Sequence, residues 1–233
     1  MSAVAVGRVS AQQPLGMIIP LYIYPGSTWT QVRTAKASNP TVPIIAVINP
    51  SNGVGTFDPV YQSSILQLRQ GGVVVLGYID TARGAISSAS VQAAMRSYMQ
   101  WYGVDGVFLD NMNNASGVES YYASLTAYAK SIGMTFTVGN AGTDTLPSYV
   151  GTVDNIVIHE NAFYPSLTAS WRGPYARSNF STLVYGSPLD FNQIKAMSNF
   201  VGYVYVTDNP NASNPWNTLP PYFANEVAAL VGL

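Results

Sequence analysis

Eight short apolar runs, rich in β-branched residues, recur along this chain and constrain its fold more than any other feature of the sequence. They occupy residues 17–24, 43–49, 72–80, 106–111, 135–140, 155–161, 182–187 and 202–208. Continuous apolar runs of this length are typical of strands that are buried on both faces of a parallel sheet. Longer stretches with helix signals separate the runs, so the pattern predicts repeated βα units.

Helix boundaries can be placed in several of these stretches. Asp58 followed by Pro59 is a typical start for a helix that runs to residue 70. Glycines predict the ends of two further helices, over 88–102 and 117–132. Two more are predicted over 190–200 and 220–230. Proline and glycine interrupt the segment 160–181, which we expect to be an irregular loop with at most a short helix.

Eight βα units within one domain favour a closed barrel over an open, doubly wound sheet. No Gly-x-Gly-x-x-Gly motif follows the first run, which counts against a dinucleotide-binding sheet. We therefore predict an α/β fold, a single (β/α)₈ TIM barrel domain over residues 1–233. Its active site is expected at the C-terminal ends of the strands, where such barrels place their catalytic residues.

Polar residues end the apolar runs and are the candidates for that site. Alternate residues of a barrel strand point inward, and the last inward ones face the open end of the barrel. In the sixth run this alternation places Ile156, Ile158 and Glu160 on one face. The polar residues that end the eight runs, in chain order, are Tyr24, Asn49, Asp80, Asp110, Asn140, Glu160, Tyr185 and Asp208.

Four of the chain's eleven acidic residues belong to this set. Charged residues make up 9% of the chain, against about 25% in ordinary soluble domains, so solubility does not explain the clustering. Asp80 and Asp208 can equally be turn formers, since Thr81 follows the first and Asn209 the second. Asp110 and Glu160 precede neither proline nor glycine, which favours a functional role for both.

Aromatic residues near the strand ends can stack on sugar rings, although most aromatic side chains belong to a core. Trp29 and Trp171 are the candidate stacking residues, ahead of Trp216. The single histidine, His159, has the opposite parity to Glu160 in its strand. We expect it to pack beneath the helices or to orient a neighbour.

The amino-acid composition limits the kinds of catalytic group and ligand that this protein can use. With no cysteine and one histidine, a zinc site or a Cys–His nucleophile has few possible ligands, and we predict neither metal nor cofactor. A net charge of −1 disfavours nucleic-acid binding, and no apolar run reaches the roughly 20 residues of a membrane span. Two carboxylates facing one cavity are the usual equipment for glycoside hydrolysis. The oligomeric state is left open.

Several motifs resemble those of spherulin-4-like proteins, the spherulation-specific family. They are Ile-Pro-Leu-Tyr-Ile-Tyr-Pro (19–25) followed by Trp29, Pro-Ile-Ile-Ala-Val-Ile-Asn-Pro (43–50), Val-Val-Leu-Gly-Tyr-Ile-Asp-Thr (74–81), Tyr-Gly-Val-Asp-Gly-Val-Phe-Leu-Asp (102–110) and Val-Gly-Asn-Ala-Gly (138–142). The resemblance extends through all eight runs. It implies a (β/α)₈ barrel related to secreted glycoside hydrolases that act on α-1,4-linked galactosamine or N-acetylgalactosamine polymers.

The same resemblance implies that Asp110 is the nucleophile and Glu160 the acid/base of an endo-acting, retaining enzyme. Asn49, Asp80, Asn140, Tyr185 and Asp208, together with Tyr24, Asn111, Trp29 and Trp171, would then bind a polysaccharide or oligosaccharide. One departure is Asn111, which stands where related enzymes often have an acid beside the nucleophile. It leaves open the alternative of a non-catalytic carbohydrate-binding or coat-associated barrel.

The resemblance and the low charge together predict an extracellular or cell-surface protein, although residues 1–16 show no signal-peptide pattern.

Overall fold

Eight parallel strands close into a barrel in which each strand bonds to the next in sequence and the eighth to the first. They are β1 (Gly16–Leu21), β2 (Ile44–Ile48), β3 (Val74–Asp80), β4 (Gly106–Asp110), β5 (Phe136–Asn140), β6 (Asn155–Asn161), β7 (Phe180–Val184) and β8 (Tyr203–Val206). This description comes from a computed structural model and covers residues 14–168 and 171–233. Each predicted run coincides with one strand, so the predicted (β/α)₈ barrel is confirmed.

Six α-helices lie outside the barrel in the described part of the chain. They are α1 (Ser27–Ser38), α2 (Pro59–Gln70), α3 (Ser88–Tyr102), α4 (Glu119–Ser131), α5 (Phe191–Met197) and α6 (Phe223–Ala229). Only short 3₁₀ turns follow β5 and β6, at Pro147–Tyr149 and Arg177–Asn179. None of the described helices is both long and apolar enough to cross a membrane.

The start of α2 and the end of α3 follow the predicted chemistry. Asp58 accepts a hydrogen bond from the Val60 N–H at 2.7 Å, with Pro59 in the first turn. Gly103 ends α3 in the left-handed conformation, at φ 58°. The sequence did not predict α1, because its N-cap is Gly26 and no side chain caps it.

The strands are buried on both faces, as their composition predicts. Every residue of β1, β2 and β7 is buried between the barrel interior and the surrounding layer. Neighbouring strands approach so closely at Gly106 that a Cβ atom there would lie 1.7 Å from the Phe136 carbonyl oxygen. Only glycine fits at this position of β4.

A register shift interrupts β6 between Val157 and His159. Ile156 pairs with Phe180 of β7, whereas Glu160 pairs with Leu183. Phe180 and Leu183 are three residues apart on a regular strand and point to opposite sides. The expected common face for Ile156, Ile158 and Glu160 is therefore wrong, because one extra residue reverses the alternation before Glu160.

The first thirteen residues of the predicted single domain lie outside the described residues, and most of the segment examined for a signal peptide lies there too. Residues 169–170 of the predicted irregular loop also lie outside. Between the end of β6 and residue 181, the described residues contain no α-helix. This agrees with the irregular loop that the sequence predicts for 160–181.

Candidate active site

A cavity of about 580 Å³ opens at the C-terminal ends of the strands. Its walls come from most of the strands and from the segment that follows β8. The residues with side-chain polar atoms that line it are Tyr22, Asn49, Asn52, Tyr78, Arg83, Asp110, Asn111, Asn140, Glu160, Tyr185, Ser213, Asn214 and Trp216. This is the position where a (β/α)₈ barrel builds its active site.

Asn140, the last residue of β5, joins two acidic side chains inside the cavity. Its amide nitrogen Nδ2 donates to Asp110 Oδ1 at 2.8 Å and to Glu160 Oε2 at 2.5 Å. Since both oxygens bond one nitrogen, the sum of these distances sets an upper limit of 5.3 Å on their separation. The two carboxyl groups thus face the same small volume, as the sequence predicted.

The orientation of the Asn140 amide is fixed by its other end. Its oxygen Oδ1 accepts from the Gly142 backbone N–H at 3.0 Å, which directs the NH₂ group toward the acids. The surrounding backbone is also tied down. The Met112 N–H donates to the Asn140 carbonyl at 2.7 Å, and the Glu160 N–H donates to the Gly142 carbonyl at 3.0 Å. These bonds connect the ends of β4, β5 and β6 around the two carboxyls.

Asp110 is surrounded by hydrogen-bond donors. The Tyr78 hydroxyl donates to Asp110 Oδ2 at 2.8 Å, while Asn140 serves the other oxygen. Burial raises the pKa of the Asp110 carboxyl, and the bonds from Tyr78 and Asn140 oppose that rise. Burial and the nearby Asp110 charge raise the pKa of Tyr78, so its hydroxyl stays protonated as a donor.

Glu160 lies against an indole ring. Trp216 Nε1 donates to Glu160 Oε1 at 3.3 Å, and the ring packs edge-on to Tyr185, with centroids 5.9 Å apart. Burial raises the pKa of the Glu160 carboxyl most, and the charge on Asp110 raises it further. Bonds from Asn140 and Trp216 act in the opposite direction. In this coupled pair, the Asp110 charge favours the protonated form of Glu160, and the Tyr78 and Asn140 donors favour the ionised form of Asp110.

Behind Asp110, the chain adopts unusual backbone conformations. Asn111 has φ 49°, and Ala82 and Arg83 of the facing loop have φ 44° and 58°. The two segments bond to each other: the Arg83 N–H donates to the Asn111 carbonyl at 2.8 Å, and Asn111 Nδ2 donates to Asp80 Oδ1 at 3.0 Å. Left-handed conformations are uncommon outside glycine and tend to occur at functional sites.

The structure brings six of the predicted site residues to the cavity, namely Asn49, Asp110, Asn111, Asn140, Glu160 and Tyr185. The other five lie outside its walls, and their placement does not support the expectation that they bind substrate there. Asp80 accepts from the Ala82 N–H at 2.8 Å, so it has the turn-forming role weighed as its alternative. Asp208 is exposed on the segment that follows β8.

The three aromatic candidates outside the cavity have different surroundings. Trp29 is 3% exposed in α1 and donates its indole N–H to the Ile23 carbonyl at 2.9 Å, so it is a core residue. Tyr24 is exposed and donates to Asp58 at 3.1 Å. Trp171 packs edge-on to Phe180, with a centroid separation of 5.7 Å. None of the three rings belongs to the cavity wall.

Several cavity residues were not predicted as site residues. Tyr78 shares a strand face with Asp80, two residues away, so the alternation that singled out Asp80 also applied to Tyr78. Tyr22 packs edge-on to Tyr78, with centroids 5.6 Å apart. The sequence places Trp216 behind Trp29 and Trp171 as a candidate stacking residue. Its position depends on the course of a long segment that local sequence does not determine.

No group of three or more His, Cys, Asp or Glu side chains in the described residues is arranged to hold a metal ion. His159 bonds to the Phe163 carbonyl at 2.7 Å through Nε2, and burial lowers its pKa. It does not line the cavity, so the carboxyl groups that do, those of Asp110 and Glu160, are the candidates for acid–base chemistry there.

The model of the spherulation-specific family 4 matches residues 16–230, which include every strand and helix of the barrel. The chain belongs to this family. Among curated proteins, it is 31% identical to spherulin-4 of Physarum polycephalum over an alignment 243 residues long, which covers 96% of this chain and 72% of that relative.

Solved structures also share the fold. Sph3 of Aspergillus clavatus, solved in complex with GalNAc, superposes with a TM-score of 0.83 at 20% identity, covering 94% of this chain and 98% of Sph3. The GH18 chitinase ChiB of Flavobacterium johnsoniae has a TM-score of 0.55 at 12% identity, with 93% of each chain covered. At these identities the similarity establishes the fold alone.

Proposed function

We propose that this protein is an endo-acting, retaining glycoside hydrolase that cleaves an amino-sugar polysaccharide of the α-1,4-galactosamine or N-acetylgalactosamine type. The observation that carries the proposal is the pair of carboxyls held by one amide nitrogen at the mouth of the barrel. Glycoside hydrolysis needs two carboxyls in different protonation states on either side of a scissile bond. The spacing of Asp110 and Glu160 and the different surroundings of the two groups support this use of the pair.

Asp110 has the role of nucleophile in this proposal, and Glu160 that of acid/base. A carboxylate oxygen of Asp110 attacks the anomeric carbon, the bond to the leaving oxygen breaks, and Glu160 gives its proton to that oxygen. In the second step Glu160 takes a proton from water, whose oxygen bonds to the anomeric carbon as the bond to Asp110 breaks. The donors around Asp110 and the raised pKa of Glu160 support this assignment.

The carboxyl spacing favours retention of configuration. Retaining enzymes hold their two carboxyl groups about 5–5.5 Å apart, whereas inverting enzymes need about 6.5–9.5 Å to admit a water molecule. The limit of 5.3 Å between Asp110 Oδ1 and Glu160 Oε2 agrees with the shorter class. A product whose first-formed reducing end keeps the α configuration, observed by NMR during hydrolysis, would support this step.

The substrate class is inferred from the cavity and from the relatives. Amide and hydroxyl groups of Asn49, Asn52, Asn111 and Tyr185 line the walls and match the hydroxyls of a neutral or weakly charged sugar. Sph3 was solved with GalNAc, and chitinases share the barrel. A polysaccharide of this kind lies outside cells, so the proposal includes an extracellular or cell-surface location.

The test is to follow new reducing ends while the protein is incubated with galactosamine-type polymers, chitin and a neutral glucan. Asp110→Asn and Glu160→Gln should each lower the rate by about 10²-fold or more. Asp190→Asn is a matched control, because it makes the same acid-to-amide change at the cap of α5, where asparagine caps equally well. Equal activity in all four proteins would contradict the assignment.

A non-catalytic carbohydrate-binding or coat-associated barrel is the second candidate. Asn111 favours it, because an amide stands where related enzymes often carry an acid, and its side chain bonds to Asp80. Retained polysaccharide binding by the parent, Asp110→Asn and Glu160→Gln, with no cleavage by any of them, is the result that this candidate predicts.

A further inference from the structure

A second exposed aromatic surface lies outside the active-site cavity. Tyr24 is 59% exposed, Phe57 47% and Val60 42%, and all three lie around Asp58 at the start of α2. The Tyr24 hydroxyl donates to Asp58 Oδ2 at 3.1 Å, and the Val60 N–H donates to Asp58 Oδ1 at 2.7 Å. We call these four residues the flank patch. None of them lines the cavity.

Buried rings support the two exposed ones. Tyr24 packs edge-on to Tyr61, with centroids 5.5 Å apart, and Phe57 stacks on Tyr102 at 6.1 Å with an interplanar angle of 17°. Tyr61 and Tyr102 are buried, and their ring centroids lie 6.3 Å apart. The exposed rings therefore have defined orientations. A ligand that stacks on them costs little side-chain conformational entropy.

The backbone that carries Phe57 is also tied to these rings. The Tyr102 hydroxyl accepts from the Asp58 N–H at 3.1 Å and donates to the Thr56 carbonyl at 3.3 Å. One buried hydroxyl thus fixes residues on both sides of Phe57. The backbone that presents the Phe57 ring is therefore held in place by a buried residue of α3.

The polar groups of the patch suit a hydroxylated ligand. The hydrogen bond to Asp58 raises the pKa of Tyr24, so its hydroxyl is neutral around neutral pH. Asp58 is an acceptor beside the rings, and each carboxylate oxygen can accept more than the single bond described for it. Flat apolar faces next to hydroxyl and carboxylate groups match the alternating C–H faces and hydroxyls of a pyranose.

The size of the patch limits its occupant. A stable protein–protein interface covers about 800 Å² on each partner, with some 20–30 residues a side. Three exposed side chains around one carboxylate provide far less than that, so the patch suits a small ligand such as one or two sugar rings. The area therefore favours a carbohydrate over a protein partner.

The patch is also connected to the cavity through two segments of chain. Tyr22, which lines the cavity, is two residues from Tyr24, and Asn52, also in the cavity wall, is five residues from Phe57. We infer that the flank patch is a second, non-catalytic site that binds sugar residues of a polysaccharide. This inference rests on the proposed function only for the choice of polymer.

The test separates binding from catalysis. Binding is measured in the Asp110→Asn background, by sedimentation with insoluble amino-sugar polysaccharide and by calorimetry with its soluble oligomers. Adding Tyr24→Ala and Phe57→Ala should weaken polymer binding by about tenfold or more. In the otherwise wild-type enzyme, the same two changes should raise KM for the polymer while kcat/KM for a short chromogenic glycoside stays unchanged.

Two controls keep the result interpretable. Phe191→Ala removes another ring, 55% exposed at the start of α5, and should leave polymer binding unchanged. Tyr24→Phe keeps the ring and loses only the hydroxyl, so it should retain most of the binding. Thermal unfolding of each variant checks that the barrel is folded.

The outcomes also separate the two proposals. Equal polymer affinity with and without the patch residues would overturn the flank-patch inference and leave the proposed function standing. Binding that depends on the patch, in a parent protein that cleaves no polysaccharide, would support the inference and contradict the proposed function. An absence of any polysaccharide binding would overturn the inference outright.

Discussion

Glu226 gives a prediction about stability that is independent of the protein's activity. It lies on α6 with no exposed surface, and its Oε1 accepts from the Val206 N–H at 2.7 Å, at the end of β8. Its Oε2 has no hydrogen-bond partner among the described residues. Burial raises the pKa of this carboxyl well above its ordinary value of 4.5. The folded protein therefore keeps the proton that the unfolded chain loses.

The sign and size of the effect follow from this difference in proton binding. Below pH 4.5 the carboxyl is protonated in both states, and its contribution to stability is fully present. Between pH 4.5 and the raised folded-state pKa, the folded state binds up to one more proton than the unfolded state. The free energy of unfolding then falls by about 1.4 kcal/mol for each pH unit, and it levels off above the folded-state pKa.

The assay is urea unfolding of the parent and of Glu226→Gln at half-unit steps from pH 4 to 9. Glutamine does not titrate. Its amide can therefore change the free energy of unfolding only by an amount that is the same at every pH. The stability of the parent relative to the variant should decline with the slope given above, starting near pH 4.5. A difference that stays constant over this range would refute the conclusion that Glu226 is protonated in the folded barrel. Asp110 and Glu160 are present in both proteins, so their titrations cancel.

Three further predictions concern the cavity and the strands. Asn140→Ala removes the donor shared by Asp110 and Glu160, so it should raise the pKa of both carboxyls, shift the pH profile of kcat/KM upward and lower its maximum by about tenfold or more. A profile unchanged in position would contradict the bridging role. Tyr78→Phe removes one donor to Asp110 alone, so the acidic limb of the profile should move to higher pH with little change in the basic limb. Gly106→Ala places a Cβ atom 1.7 Å from a backbone oxygen, and thermal unfolding should show a loss of more than about 4 kcal/mol or no folded protein at all. A normal unfolding temperature would mean that the strands separate more easily than the structure indicates.

The barrel was predictable because its strands are apolar on both faces and its turns carry strong signals. Asp58 and Gly103 each marked a helix boundary that the structure shows. The first helix was harder, since Gly26 precedes it and no side chain caps it. Trp29 was consequently predicted to stack on sugar near a strand end, whereas it is a core residue of α1.

The site was predictable where a residue ends a strand and unpredictable where a long segment folds back. Asp110, Asn140 and Glu160 were identified from their positions after apolar runs, and the structure brings them together. Trp216 reaches Glu160 from a connection held by tertiary contacts, such as the bonds from Asn209 Nδ2 to the Pro215 carbonyl at 3.0 Å and to Asn217 Oδ1 at 2.8 Å. No local pattern specifies such a path.

The extra residue in β6 decides which of two neighbouring side chains faces the cavity. If pairing ran on regularly from Val157 and Ser181, His159 would take the register position beside Leu183, and Glu160 would turn to the opposite face of the strand. Because Ile158 is bulged out of the pairing, Glu160 holds that position instead. A related strand without this one residue would still present its acid beside the same β7 partner, although counting along the sequence would displace the acid by one place. Alignments of related barrels should therefore be anchored on the β7 partner of the acid before the acid itself is judged present or missing.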